Sequence, residues 1–432
     1  MAYADMNRIL VLAAMALSLL TGPTVATGTN GYFSHGYGMK AKGMGGAAVA
    51  MSEDAFGGAN NPASMVWAGD RLDVGVELFI PKRQAARTGS TGGIFDAETE
   101  SDRDYFGIPE FGYNKILRSN LSMGVTVYGN GGLNTQYPAS GQTDSGACAG
   151  NPPTGLKGNN LLCGTSRLGV DYMQIVIAPT LSYRLFPEVS IGISPLIAYQ
   201  RFRAEGVQAF AGSSSSPGEL SNRGYNGSIG GGVRLGWLAK LSETLTFGAA
   251  YSPRISMSRF GKYRGLFAEQ GSIDIPENYT LGLAYRPIPP FVMAFDYQRI
   301  NYGDVPAIGN PSSNRPFGAD HGPGFGWSNM NVWKLGLVYM LTEHVAIRGG
   351  FNHGDNPIPG RDVTVNILAP AVIVDHLTLG ATYVTRTGKE VTVMYMHGFQ
   401  KDVTGPSTLG AGGTDTITMY QDSFGIAFAW KM

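Results

Sequence analysis

The sequence predicts an all-β fold, a transmembrane antiparallel β-barrel of about fourteen strands with an N-terminal hatch, or plug, in its lumen. Three observations support this prediction: a period-two apolar pattern after residue 70, connections that alternate between short and long, and few charges. In the last segment Phe424, Ile426, Phe428 and Trp430 alternate with small or charged residues. Because successive strand residues point to opposite faces, this spacing places one apolar stripe on one face.

Most of the candidate strands form pairs joined by turns of a few residues. They are Leu72–Lys82, Phe106–Leu117, Leu121–Gly129, Gly169–Leu185, Val189–Arg203, Ser228–Leu241, Thr244–Phe260, Tyr279–Arg286, Phe291–Tyr302, Val332–Leu341, His344–His353, Leu377–Thr385, Glu390–Lys401 and Ile417–Trp430. The other connections are long and polar, and span roughly 83–105, 130–168, 204–227, 261–278, 303–331, 354–376 and 402–416. Short periplasmic turns and longer extracellular loops are typical of outer-membrane barrels. We therefore expect a Gram-negative outer-membrane protein with both termini in the periplasm.

The composition favours a barrel over membrane helices or soluble domains. Charged residues make up 15% of the chain, against about 25% in soluble domains. Beyond the N-terminus, however, no run of about 20 apolar residues is present to form a membrane helix. A barrel satisfies both observations, because only alternate residues face lipid. The formal net charge of +0 and the lack of a basic cluster argue against nucleic acid as a partner.

The N-terminus resembles a secretory signal peptide. An apolar stretch, Ile9–Leu20, follows Arg8 and precedes the small-residue site Thr24-Val25-Ala26. We predict cleavage after Ala26, and translation begins at either Met1 or Met6. The alternative, an N-terminal membrane anchor, is disfavoured because the run is short and ends at Gly22-Pro23.

Cys148 and Cys163 are the only cysteines, and both fall in one long polar loop. An exported protein meets an oxidising compartment, so a disulfide between them is predicted. The alternative is a pair of free thiols. Metal binding is not expected, because two cysteines without a nearby histidine make a poor site.

Residues 27–70 do not follow the strand pattern. We therefore divide the chain into a signal peptide (1–26), an N-terminal hatch (27–70) and a transmembrane β-barrel (71–432). The alternative for residues 27–70 is a flexible periplasmic tail.

Ordered motifs in this region resemble the hatch of the FadL/TodX family, outer-membrane transporters of long-chain fatty acids and aromatic hydrocarbons. They are Gly45-Gly46-Ala47-Ala48-Val49-Ala50, Asp54-Ala55 and Asn61-Pro62-Ala63. The glycine-rich run Gly129–Thr135 resembles the family's segment after the third strand, and Tyr395–Gly398 resembles its penultimate strand. One departure is the C-terminal Met432, since such barrels usually end in an aromatic residue; Trp430 is then the candidate signal for the barrel-assembly machinery.

The resemblance implies passive uptake of a hydrophobic molecule, without a cofactor, through a lumen whose hatch moves. It assigns hatch and gating roles to Gly45, Gly46, Asp54, Asn61, Pro62 and Ala63. It also makes Gly129, Gly131 and Gly132 candidates for a kink in the wall. Hatch residues near Tyr32 and Phe33 are expected to line the ligand pocket.

Strand parity assigns several charges to the lumen, because a charge facing hydrocarbon costs about 2–4 kcal/mol near the midplane. The inward residues are predicted to be Arg348, Lys334, Arg286, Arg234 and Asp296. Arg348, Lys334 and Arg234 are candidates to bind a ligand carboxylate. The alternative for each is a salt bridge to another residue of the wall or hatch.

Long-chain fatty acids are the substrates we predict, with a hydrocarbon channel of the same fold as the nearest alternative. A different class, the water-filled porin, lacks such a hatch. No catalytic residues are predicted, because neither a G-x-S-x-G nor an HExxH pattern occurs and the six histidines are scattered. The expected partners are a hydrophobic or fatty-acid ligand, outer-membrane lipid and the barrel-assembly machinery, and the expected state is a monomer. The identity of the substrate, the pocket-lining residues and the exit route remain open.

Overall fold

A computed structural model describes residues 30–93, 96–139, 160–410 and 412–432 and shows a closed antiparallel β-barrel. Each long strand pairs with the next along the chain, and the last pairs with the first. The strands are β1 (Arg71–Thr88), β2 (Ala97–Glu100), β3 (Phe106–Arg118), β4 (Leu121–Tyr137), β5 (Leu168–Phe186), β6 (Val189–Glu205), β7 (Asn226–Lys240), β8 (Leu245–Ser252), β9 (Asn278–Ile288), β10 (Phe291–Ile300), β11 (Met330–Met340), β12 (Val345–Gly354), β13 (Asp375–Val384), β14 (Lys389–Pro406) and β15 (Thr414–Lys431). Since the four-residue β2 only flanks β1, the wall has the fourteen strands that the sequence predicts.

Helices are short and lie in the segments between strands. They are α1 (Met39–Lys42), α2 (Met65–Ala68), α3 (Ala268–Gly271), α4 (Pro306–Gly309) and α5 (Val363–Asn366), with 3-10 turns at Pro62–Ser64, Thr91–Gly93, Gln208–Ser213, Pro217–Glu219, Gly261–Tyr263, Tyr302–Asp304 and Gly360–Asp362. Within the described ranges, no helix has both the length and the apolar character needed to cross a membrane.

The predicted alternation of faces is confirmed in β15. Phe424, Ile426 and Phe428 are 51%, 37% and 45% exposed, whereas the intervening inward residues are mostly buried. The exposed apolar residues form the band that contacts lipid in a membrane barrel. Inward positions carry small and polar side chains, such as Ser423 and Gln421 in this strand.

Some predicted strand limits are wrong. The predicted strand Thr244–Phe260 ends at Ser252, because Pro253 has no N–H to continue the ladder. Conversely, β1, β4 and β14 continue well beyond their predicted ends: β1 and β14 extend alongside β15, and β4 continues past a bulge alongside β5. Arg286 is exposed near the short turn after β9 rather than buried in the lumen.

Both ends of the barrel sequence lie together, since Arg71 pairs with Lys431. The short turns share this end, and the long loops share the other. The predicted signal peptide and Cys148 lie outside the described residues. Cys163 is buried, and no free cysteine occurs in the described part; its pairing with Cys148 stays a prediction.

Candidate ligand route through the barrel

Residues 30–70, which we call the hatch segment, lie inside the barrel. None of them is exposed, although their only helices are α1 and α2 and a 3-10 turn. Their polar atoms form hydrogen bonds or ion pairs with inward-facing side chains of six strands around the wall: β1, β3, β7, β10, β12 and β14. A lumen filled in this way differs from the open aqueous channel of a porin.

Two buried lysines of α1 join the hatch segment to acidic residues of the wall. Lys42 Nζ lies 2.7 Å from Glu77 and 3.1 Å from Glu110, and Lys40 Nζ lies 2.6 Å from Glu390. None of these side chains is more than 10% exposed. Removing one partner of a buried pair leaves an uncompensated charge and typically costs about 3–5 kcal/mol. These pairs therefore fix the position of the hatch segment strongly.

The three predicted ligand-binding cations point inward and contact the hatch segment. Arg348 Nη2 lies 3.1 Å from Glu53 Oε2. Lys334 Nζ and Arg234 Nη2 donate to hatch backbone carbonyls at 2.9 Å and 3.1 Å. Strand parity thus places these side chains inward correctly, and the alternative of a salt bridge is seen for Arg348, whereas Lys334 and Arg234 bond to hatch carbonyls instead.

The glycine-rich run of the hatch segment bonds to the wall through its backbone. Asp296 Oδ2 accepts hydrogen bonds from the N–H groups of Ala48 and Val49 at 2.8 Å and 2.9 Å, and the Gly45 N–H donates to a threonine of β13 at 2.7 Å. Gly45 and Gly46 have φ of +64° and +83°. A Cβ at Gly46 would lie 1.7 Å from a backbone oxygen, so this tight bend requires glycine.

Asn61, Pro62 and Ala63 lie against β5, β6 and β7 near the short-turn end. The Asn61 amide donates to the Trp237 carbonyl at 3.0 Å and its Oδ1 accepts from the Ala63 N–H at 3.0 Å. A serine hydroxyl of β6 donates to the Ala63 carbonyl at 2.8 Å. A Cβ at Gly236 would lie 2.2 Å from Asn61 Oδ1, so the wall is shaped to receive this motif.

Asp54 occupies a charged but poorly solvated position in the hatch segment. Its Oδ1 accepts a hydrogen bond from the Phe56 N–H at 3.1 Å. Burial and the neighbouring Asp73 carboxylate raise the pKa of Asp54 to about 7, against the opposing effect of Lys40 and Arg71. This carboxyl therefore titrates near neutral pH while the hatch is docked.

Tyr32 and Phe33 lie in an aromatic cluster at the N-terminal end of the hatch segment. The Tyr302 hydroxyl donates to the Asn30 carbonyl at 2.6 Å and accepts from the Tyr32 and Phe33 N–H groups at 3.2 Å and 3.1 Å. Tyr32 also contacts the ring of Trp327, with centroids 6.0 Å apart. Tyr302 and Trp327 belong to the long connection between β10 and β11, so the hatch and an outer loop meet here.

The wall is incomplete between β3 and β4. Their pairing ends at Phe111 and Val127, although β3 continues to Phe106 and β4 to Tyr137. The register of β4 against β5 shifts between Gly129 and Gly131, as expected at a β-bulge. Beyond the bulge, β4 turns towards the hatch segment and leaves a gap of about 16 Å along β3.

The predicted glycines lie where β4 and the hatch segment meet. The Gly132 N–H donates to the Tyr32 carbonyl at 3.1 Å, and Gly131 forms an isolated bridge with Phe33. A Cβ at Gly131 would lie 2.2 Å from the Tyr32 carbonyl oxygen. Only glycine permits this approach, so the run of small residues couples the bend in the wall to the hatch.

A small cavity of about 30 Å³ lies beside this bend. It is lined by Gly31, Phe79, Pro81, Arg83, Gly132, Leu133, Asn134, Ala369, Pro370, Ala371, Ile373, Met419 and Gln421. Both polar side-chain atoms of Asn134 and Gln421, and Nε of Arg83, lack a hydrogen-bond partner in the described part of the chain. A buried polar group without a partner is unfavourable, so these atoms are prepared for a polar ligand group.

Two more cavities extend the route towards the long loops. One, of about 20 Å³, lies between the hatch segment and β4–β10, includes Tyr37, Tyr128 and Arg234, and has a largely polar lining. The other, also of about 20 Å³, lies among the loops and is lined by Val170, Leu266, Phe267, Ala307, Phe317, Pro323, Gly324, Phe325, Val365 and Leu368. The apolar lining of the loop cavity suits a hydrophobic ligand.

A family model described as outer membrane protein transport protein (OMPP1/FadL/TodX) matches residues 163–411, more than half of the chain. The chain belongs to this family. It is therefore an outer-membrane β-barrel of a Gram-negative transport-protein family, as the hatch and strand motifs predict.

Solved structures show the same fold for members of the OMPP1/FadL/TodX family. The toluene transporter TodX of P. putida is 17% identical with a TM-score of 0.66, covering 92% of this chain and 99% of that chain. A FadL homologue of Pseudomonas aeruginosa is 15% identical with a TM-score of 0.67, covering 93% and 99%. The toluene transporter TbuX of Ralstonia pickettii is 15% identical with a TM-score of 0.63, covering 92% and 99%. A search of curated protein sequences found no match.

For this member of the OMPP1/FadL/TodX family, the predicted site residues divide by location. The hatch and glycine candidates lie together where the hatch segment meets the wall. Among the ligand-binding candidates, Arg234 lines one of the three cavities above, whereas Arg348, Lys334, Tyr32 and Phe33 pack elsewhere in the hatch interface. Their roles in gating and ligand binding stay predictions. The described residues contain no group of three or more His, Cys, Asp or Glu placed to hold a metal ion.

Sequence reasoning missed the residues that line the cavity at the bend. Arg83 lies just past the predicted end of the first strand, and parity would assign it to the lumen once that strand is extended. The acidic partners Glu77, Glu110 and Glu390 are also found by parity. Asn134 lies beyond Gly129, the predicted end of its strand, whereas β4 continues to Tyr137, so the sequence assigned it no face.

Proposed function

We propose that this protein takes up long-chain fatty acids passively across the outer membrane. The ligand enters among the long loops, passes along the hatch segment and leaves sideways into the membrane between β3 and β4. One observation carries this proposal: the gap in the wall lies beside a cavity enclosed by β1, β4, β15 and the loop before β13, with Gly31 of the hatch segment at its edge. The protein acts as a monomer with periplasmic termini, and neither a cofactor nor an energy source takes part.

The size of the hydrophobic contribution supports a long apolar ligand. Burial of a dozen methylenes contributes on the order of 10 kcal/mol before ordering costs, at about 0.8 kcal/mol each. Passive transport needs only such binding energy, together with a hatch segment that moves aside when the ligand binds.

The polar end of the cavity favours a carboxylate head. Arg83 supplies a cation whose Nε has no partner, and the amides of Asn134 and Gln421 supply two further donors. Arg83 also lies 3.6 Å from Asp104 and bonds to the Asn134 carbonyl, which orients its guanidinium. A carboxylate satisfies several of these donors at once, whereas a neutral hydrocarbon satisfies none.

A neutral hydrocarbon is the second candidate substrate, favoured by the apolar lining of the loop cavity. The two substrates differ in their dependence on Arg83. Purified wild type and Arg83→Gln are titrated with a fluorescent long-chain fatty acid and with a neutral alkane analogue of equal length.

The proposal predicts that Arg83→Gln weakens fatty-acid binding about tenfold or more, the worth of a charged hydrogen bond. Alkane binding should be nearly unchanged, which separates lost recognition from a disturbed bend. Arg286→Gln, an exposed cation near a short turn, is the matched control and should bind both probes normally. Equal loss of both probes assigns Arg83 a structural role, and failure of the wild type to bind either probe refutes hydrophobic uptake.

A further inference from the structure

The outer face of β6 carries a basic cluster at the level where the lipid headgroups begin. Ile191, Ile193, Ile197 and Tyr199 face outward and are exposed along this strand. Two further outward positions are Arg201 and then Arg203. Arg201 follows Val189, at the short-turn end of β6, by twelve residues. In a strand tilted by 45° these residues rise about 28 Å along the membrane normal, close to the thickness of the apolar band, so Arg201 lies near its outer edge.

Tyr225 holds the two arginines in a fixed arrangement. The guanidinium carbons of Arg201 and Arg203 lie 4.3 Å and 4.9 Å from the centroid of its ring. The ring is itself fixed, because its hydroxyl donates to Asp171 at 2.6 Å. The exposed Lys262 donates to the Tyr225 backbone carbonyl at 3.0 Å, which brings a third cation to the same place.

The carboxylates near this cluster already have partners. Glu205 lies 3.3 Å from Arg203, and Asp171 lies 2.9 Å from Arg103. Arg201 is half-buried and makes no ion pair within the described residues; its Nε and Nη2 are covered by neighbouring atoms and have no hydrogen-bond acceptor there. A positive charge therefore remains unneutralised on an outward, lipid-level surface.

Below the cations lies an apolar surface without bulky partners. Ile197 is 58% exposed and Ile229, opposite Tyr199 in the sheet, is 68% exposed. Gly231, on the same face of β7, carries no side chain and leaves a shallow groove beside it, whereas the ring of Tyr199 covers Gly227. The acyl chains of a lipid fit such a groove when its negatively charged headgroup lies against the cations above.

We propose that this surface binds one molecule of lipid A, the phosphorylated glycolipid of the outer leaflet. Arg201, Arg203 and Lys262 bind a sugar phosphate, since guanidinium groups match phosphate oxygens bidentately. The acyl chains lie along Ile197 and Ile229. The site faces the outer leaflet because the long loops are extracellular, as proposed above, and it is separate from the hydrophobic route through the lumen.

The test is the affinity of purified protein for fluorescent diphosphoryl lipid A in detergent micelles. The variant Arg201→Gln/Arg203→Gln/Lys262→Gln should bind about tenfold more weakly or worse, and wild-type affinity should fall with added salt. Arg299→Gln is the matched control. Arg299 is an outward cation at the corresponding end of β10, but it donates to Asn301 and Asn331 at 3.0 Å and 2.8 Å, so its loss should not change binding.

Two further probes identify the ligand chemistry. Dephosphorylated lipid A should bind wild type as weakly as diphosphoryl lipid A binds the triple variant, and phosphatidylglycerol should also bind weakly. Equal affinity of wild type and variant for lipid A overturns the proposal, and so does phosphatidylglycerol binding as tight as that of lipid A. Heat-modifiable migration on SDS gels checks that each variant is folded. The single variant Arg201→Gln should also bind lipid A more weakly than wild type, but by a smaller factor than the triple variant.

Discussion

At the scale of single residues, the hatch segment is held by charges that have little access to water. Buried ion pairs of this kind add little net stability, yet they are strongly unfavourable to separate. Such contacts suit a hatch that must stay docked without a ligand, because they specify one position. Asp54 is the exception, since it lies beside another carboxylate as well as beside cations.

Asp54 makes docking of the hatch depend on pH. Its pKa is about 7 when docked and 3.8 when exposed, so the docked state prefers the protonated form. This contribution to stability is fully present below pH 3.8 and is lost as the pH rises through 7. Proteolysis of the hatch segment should therefore be faster at pH 8 than at pH 5. Asp54→Asn keeps the acceptor for Phe56 and should remove this difference; an unchanged pH profile in that variant would refute the assignment.

Two adjacent glycines of β12 give a matched test of how closely the hatch contacts the wall. A Cβ at Gly350 would lie 2.1 Å from Met44 of the hatch, whereas a Cβ at Gly349 would meet its nearest atom at 3.9 Å. Gly350→Ala should displace the hatch, at a cost of about 1–3 kcal/mol from overpacking. Single-channel recordings in planar bilayers should show increased conductance for Gly350→Ala and wild-type conductance for Gly349→Ala. The same conductance in both variants would argue against close docking.

Strand parity predicted which side chains face the lumen, but not which groups those side chains bind. It placed Arg348, Lys334 and Arg234 inward because burying a charge in lipid is costly. It could not distinguish a ligand from a hatch carbonyl as the partner, since that choice depends on packing between distant parts of the chain. Asn134 was assigned no face because the apolar alternation that marks its strand stops at Gly129, although β4 continues to Tyr137.

At the scale of elements, β4 decides where the wall opens. The sequence indicated a bend from its glycines, and the structure adds the cause: the bulge at Asn130 releases β4 from β3 and pairs it with the hatch. Strand limits were predicted less well. Arms that project beyond the membrane carry polar residues on both faces, so the apolar alternation stops before the strand does.

Removal of the bulge tests the proposed side exit. Deletion of Asn130 should let β4 continue its pairing with β3 and close the gap. Fatty-acid uptake by cells that lack their own transporter should then fall by about tenfold, while heat-modifiable gel migration stays normal. Deletion of the exposed Gly410, in the connection between β14 and β15, is a control of equal size and should leave uptake unchanged. Normal uptake after deletion of Asn130 would place the exit elsewhere.

At the scale of the whole molecule, a closed wall and a filled lumen have separate tasks. Closure leaves no unpaired edge at the seam between β1 and β15, which favours persistence in a membrane. The hatch segment fills the lumen, so the proposed transport requires it to move or deform. The alternation of short and long connections was enough to predict the wall, whereas the hatch became visible only through its resemblance to a family.

A reversible covalent lock tests the hatch as a gate most directly. A Cβ at Gly43 would lie 3.1 Å from the Gly380 Cα of β13, and a Cβ at Gly380 would lie 3.2 Å from the Gly43 Cα. The two positions therefore lie side by side, and Gly43→Cys/Gly380→Cys is designed to join them by a disulfide. Because a disulfide needs its Cα atoms about 4.4 Å or more apart, the bond requires a small backbone shift, and its formation is checked by thiol titration. The two single variants and wild type, each with and without reductant, control for effects on Cys148 and Cys163.

Uptake of a labelled long-chain fatty acid by cells that carry the double variant is the measurement. The account predicts that uptake falls to the level of cells without the protein when the lock is oxidised, and recovers on reduction. Uptake at the wild-type rate through a fully oxidised, locked barrel would contradict it.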